Sequence, residues 1–132
     1  MAKILLAVSR ELCAVLERVL AGHKLVCPET IARAEELLCA DQFDLIVCTV
    51  LFDESRMFDL LRMAKSRHEW QQIPFVCVRV RHDVLSDRIA REAVAFTCHA
   101  LGAAAFLNSP DYKDDLELRQ AIERHLPAHL VA

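Results

Sequence analysis

Short runs of consecutive apolar residues alternate along this chain with longer segments in which apolar positions recur every three to four residues. The first kind of run fits a strand covered on both faces and the second an amphipathic helix. Their alternation predicts a parallel sheet with helices on both sides. The first strand is expected over residues 3–8. Ser9 then stands as N-cap to a helix with Leu12, Val15, Leu16, Val19 and Leu20 on one side, closed by Gly22. A short second strand over residues 24–27 leads past Pro28 to Thr30, the cap of a helix carrying Ile31, Ala34, Leu37 and Leu38. Residues 44–50 form the most apolar strand, expected at the middle of the sheet, and a loop with Phe52, Asp53 and Glu54 leads into a helix over residues 55–68.

Pro74 precedes a fourth strand over residues 75–80, a place where proline costs no ladder bond. Asp83 is the expected cap of a long fourth helix with Leu85, Ile89, Ala93, Phe96 and Ala100 on its buried stripe and Gly102 at its end. The fifth strand is expected over residues 104–107 and the last helix over residues 113–126, before Pro127.

Composition narrows the reading. With 132 residues, 55% of them hydrophobic, residues 1–132 are expected to form one globular domain. A net charge of −3 gives no electrostatic footprint for nucleic acid. The apolar run Ile4 to Val8 is too short for a signal peptide or a membrane span. Cys13, Cys27, Cys39, Cys48, Cys77 and Cys98 stand singly among apolar neighbours, which is the usage of reduced thiols in a cytoplasm. No C-x-x-C occurs, and Pro127 interrupts the helical spacing of His125 and His129, so no metal site is expected. Gly22 and Gly102 both end helices, which leaves no phosphate-cradling loop and no expected cofactor. Nothing resembles a nucleophile paired with a base, so no enzyme activity is expected.

In an open parallel sheet, ligands bind outside the carboxyl ends of the strands, here Val8–Ser9, Thr49, Arg79 and Ser109. Around those ends the phrases Lys3-Ile4-Leu5-Leu6-Ala7, Asp44-Leu45-Ile46-Val47-Cys48, Ile73-Pro74-Phe75-Val76 and Gly102-Ala103-Ala104-Ala105-Phe106-Leu107-Asn108-Ser109-Pro110 resemble the response-regulator receiver domain. The resemblance runs from about Lys3 to Leu126. It implies a flavodoxin-like, CheY-like (βα)5 fold with strand order 2-1-3-4-5, and a signalling role in a two-component system. Receivers of that family carry an acidic pair after the first strand, an aspartate at the end of the third, a hydroxyl residue after the fourth and a lysine before the proline after the fifth. The matching positions here are Val8 and Ser9, Thr49, Arg79 and Ser109, which keep none of those residue types. Mg²⁺ requires hard oxygen ligands, mostly carboxylates, so the resemblance implies a stand-alone pseudo-receiver without aspartyl phosphorylation.

Two further expectations concern partners. Thr49, Arg79 and Ser109 are candidate anion ligands, the alternative for Arg79 being an ion pair with Asp53, Glu54 or Asp83. The fourth helix is longer than the family's, and the helix 4, strand 5, helix 5 face is the receivers' common surface for partners and homodimers. That makes Arg88, Arg91, Glu92 and His99 interface candidates. Met63, Trp70 and Tyr112 are candidate contact anchors or core residues.

Overall fold

The computed structural model describes residues 2–80 and 87–130. The chain forms a five-stranded, all-parallel sheet in the order β2-β1-β3-β4-β5, the order that the resemblance implies. Its strands are β1 (Lys3–Ala7), β2 (Lys24–Val26), β3 (Leu45–Thr49), β4 (Phe75–Arg79) and β5 (Ala105–Asn108). The helices are α1 (Arg10–Val19), α2 (Ile31–Ala40), α3 (Met57–Ser66), α4 (Arg88–Ala100) and α5 (Asp115–Glu123).

β3 is central, pairs with β1 and β4, and every one of its residues is buried, which is why its run is continuously apolar. Asp44 precedes it outside the strand, accepting the Lys3 N–H at 2.8 Å on Oδ2 while its own N–H bonds the Lys3 carbonyl. The sheet separates two cores. Leu5, Ala7, Ile46, Cys48, Phe75 and Cys77 point toward α2, α3 and α4. Ile4, Leu6, Val8, Val47, Val76 and Val78 point toward α1 and α5, and this strict alternation is what a two-sided parallel sheet imposes. Trp70 is buried, with the Arg67 guanidinium 4.5 Å from its ring centre, so it packs in the core and is no contact anchor.

Helix ends differ from the sequence reading in instructive places. Thr30 caps α2 through its hydroxyl, which accepts the Arg33 N–H. Ser9 occupies the N-cap position of α1, yet its side chain makes no capping bond; only its carbonyl accepts, from Leu12 and Cys13. The Asp83 cap and Leu85 lie outside the described residues. The described α4 is capped by Asp87, whose carboxylate accepts the Ile89 N–H.

α4 also faces the other way from expectation. Ile89 and Phe96 are 71% and 75% exposed and Ala93 and Ala100 are exposed with them, while Val94, Cys98 and Leu101 turn inward. Helix 4 covers the outer strands with its smaller side chains, which allow close approach to the sheet beside Phe106.

Candidate functional site

Between β3 and α3 the expected loop is a four-residue helical turn, Phe52–Ser55, in which Asp53, Glu54 and Ser55 have φ of 45°, 57° and 67°. Left-handed backbone is unfavourable for residues bearing a Cβ. One compensation is visible: Asp53 Oδ2 accepts the Ile31 N–H at 2.8 Å, tying this turn to the start of α2. Asp53 is thereby drawn to a helix N-terminus, where a carboxylate is favoured by the unpaired N–H groups. It does not pair with Arg79.

The five strand-end positions lie along the carboxyl edge of the sheet, Ser9 and Ser109 half-buried. Val8, Thr49 and Arg79 are buried. The Thr49 hydroxyl accepts a long bond, 3.4 Å, from the Ser9 N–H, and the Ser9 hydroxyl is buried with no hydrogen-bond partner among the described residues. Thr49 stands in register with Val78, whereas Arg79 stands in register with Asn108. Because successive side chains alternate across a sheet, Thr49 shares the α1 side with Val78 and Arg79 turns to the α4 side.

There Arg79 Nη1 donates to Asn108 Oδ1 at 2.8 Å, and Asn108 Nδ2 donates to Asp111 Oδ1 at 3.3 Å. Among the described residues Arg79 Nε has no partner; the Asp83 alternative lies outside them. The neighbouring cleft, about 180 Å³, is lined by Arg88, Arg91, Glu92, Phe106, Asn108 and Asp111. Ser109 instead lines a 280 Å³ cleft with Val15, Val80, Tyr112 and Leu118, between α1 and α5. The structure therefore does not bring Thr49, Arg79 and Ser109 to one point. Of the interface candidates, Arg88 and Glu92 are exposed and pair at 3.7 Å, His99 is exposed, and Arg91 is half-buried at the cleft.

The core cysteines behave as packing. Burial pushes the Cys48 thiol well up, and hydrogen bonding to Cys98 together with burial does the same to Cys77. A different pair escaped the sequence reading. Cys13 and Cys27, fourteen residues apart, meet at 3.2 Å between α1 and the end of β2, with Glu17 beside them. No local motif spells that contact; it is set by the packing of a helix on a strand.

No family model and no curated protein matches this sequence. Solved structures do match over nearly the whole chain. The receiver domain of a signal transduction histidine kinase from Syntrophus aciditrophicus aligns at 23% identity, over 96% of this chain and 90% of its own, with a TM-score of 0.74. The Mn²⁺-bound response regulator Rcp1 aligns at 20% identity, over 97% of this chain and 100% of its own, with a TM-score of 0.73. This chain has the fold of a response-regulator receiver domain. A third receiver-fold structure, from the Pseudomonas aeruginosa PAO1 sensor histidine kinase PA1611, carries a magnesium ion in its active-site cleft. It aligns at 15% identity, over 93% of this chain and 95% of its own, with a TM-score of 0.70. In the receiver fold of this chain, the described residues contain one group of three or more Cys, His, Asp or Glu side chains close enough to hold a metal. That group is Cys13, Glu17 and Cys27, not the strand-end crevice.

Proposed function

We propose that this chain is a pseudo-receiver: a receiver-fold signalling module that acts through protein contacts, with a strand-end crevice that does not take up phosphate on an aspartate. The observation that carries this reading is Thr49. By the resemblance it stands where receivers carry the acceptor aspartate, and it is fully buried with its hydroxyl engaged by the Ser9 N–H. A hydroxyl there cannot form an acyl phosphate. Val8 and Ser9, in place of an acidic pair, supply no carboxylate to hold Mg²⁺. Without a divalent ion the charge of a transferring phosphoryl group at Thr49 is not offset, and the cationic Arg79, turned to the other side of the sheet, does not help to hold such an ion.

The surface of α4 supports contact with a partner. Among the described residues the large exposed apolar side chains are Ile89 and Phe96 on α4 and Leu116 on α5, two of the three elements of the face that receivers commonly use. Ile89, Ala93, Phe96 and Ala100 form one stripe at helical spacing, flanked by Arg88, Glu92 and His99. A stripe carrying charges of both signs is self-complementary when two copies pack antiparallel, so a homodimer through α4 is the partner this reading commits to.

The test is twofold. Beryllofluoride titrated with Mg²⁺ is expected to leave the protein's fluorescence and NMR spectra unchanged; Mg²⁺-dependent binding would overturn the reading. Sedimentation is expected to show a dimer that Phe96→Glu converts to a monomer, and a wild-type monomer at all concentrations would remove the α4 interface. Inorganic phosphate is expected to bind wild type and Arg79→Ala equally poorly, because the three candidate anion ligands are apart.

A further inference from the structure

The cysteines at the outer edge of the sheet form a built cluster. Cys13 and Glu17 are four residues apart on α1 and so share one helix face. Cys27 follows β2, which runs parallel to β1 in register, and this brings the chain back beneath that face. The two sulfurs are 3.2 Å apart, and all three ligand atoms lie within 4.8 Å of one another. Both cysteines are half-buried, whereas Glu17 is exposed and closes the cluster on its solvent side.

We propose that Cys13, Cys27 and Glu17 form a binding site for a thiophilic divalent cation of the zinc class, with water in the fourth position. A tetrahedral ion with metal–sulfur bonds of about 2.3 Å holds its two sulfurs about 3.8 Å apart. The observed separation reaches that value by small rotations of the cysteine side chains, whereas a disulfide would require the sulfurs to close to about 2.05 Å. The Glu17 carboxylate beside the two sulfurs adds a third, oxygen ligand that a dication would use and a disulfide would not. Binding balances as one divalent ion taken up with two thiolates and one carboxylate as ligands, and two thiol protons released.

Cobalt titrated alone into the reduced protein is expected to give a sulfur-to-cobalt charge-transfer band saturating at one equivalent, which zinc then abolishes by displacement. Zinc alone is expected to release two protons per ion and to raise Tm. Cys13→Ser and Cys27→Ser should each remove the band, and Glu17→Gln should weaken binding by about tenfold or more. Cys39→Ser, at an exposed cysteine outside the cluster, should leave it unchanged. Absence of a thiolate band in wild type, or its survival in Cys13→Ser, overturns the proposal. So does formation of a Cys13–Cys27 disulfide with cobalt left unbound. None of these outcomes depends on the fate of the strand-end crevice.

Discussion

α1 turns Leu12, Leu16 and Val19 into the core, whereas α4 turns Ile89 and Phe96 out to solvent. Both helices have apolar residues at i, i+3, i+4 spacing, so periodicity alone reads them alike. The difference lies in what receives each stripe. α1 packs on the face of the sheet that carries Ile4, Leu6 and Val47 and is flanked by α5, so its leucines are buried between sheet and helix. α4 covers the outer strands with Val94, Cys98 and Leu101, and its larger side chains are left on the opposite side. An apolar stripe left exposed among the described residues is the kind of surface that marks a partner site.

Four experiments bear on this contrast. The largest effect is expected from Leu16→Ala, which empties a fully buried position of α1 and should cost about 3–4 kcal/mol of unfolding free energy in urea denaturation. A loss as small as that of a surface residue would dissolve the distinction between the two helices.

The second experiment loosens the tie between α1 and α5. Glu123 is buried and accepts from His23 Nε2 at 2.6 Å and from Arg119 Nε at 3.0 Å. His23 Nδ1 in turn accepts the Ala2 N–H, which fixes the ring proton on Nε2. Arg119 also donates to the Ala21 carbonyl at 2.5 Å, just past the end of α1. Glu123→Ala strands both donors and should cost about 2–3 kcal/mol, measured in the same way.

The third is the counterpart on α4. Phe96→Ala should change monomer stability by less than about 0.5 kcal/mol while lowering self-association, because its ring is mostly in water until a second molecule covers it. A large loss of stability would mean that α4 buries this residue within its own chain.

The smallest effect is expected just beyond α5. Burial, and then the neighbouring charge of Arg124, lower the His125 pKa below its ordinary 6.5. As pH falls through 6.5 the unfolded chain takes up a proton before the folded chain does, so folding stability declines until the folded value is also passed; above 6.5 no penalty applies. His125→Gln should flatten that acidic slope in thermal melts, and an unchanged slope would assign it to other groups.

Much of this architecture is legible without coordinates. The continuous apolar run of β3, the two helix-ending glycines, both in left-handed backbone, and the Thr30 cap are local signals, and each has a local physical cause. The ends of β3 and β4 at Thr49 and Arg79 were likewise readable, because the apolar runs stop there. The direction of Arg79 was not. Its partner Asn108 is an uncharged residue on the neighbouring strand, and only the register makes the two adjacent.

What the sequence by itself determined, then, is the order of strands and helices along the chain and the uncharged or cationic residues Val8, Ser9, Thr49, Arg79 and Ser109 near the strand ends, because both follow from residue type at known positions along the chain. Tertiary structure alone decided which face of α4 is buried, which side of the sheet Thr49 and Arg79 take, and that Cys13 meets Cys27. Those depend on the packing of elements distant in sequence, and side-chain periodicity repeats the same way whether or not a neighbour stands opposite.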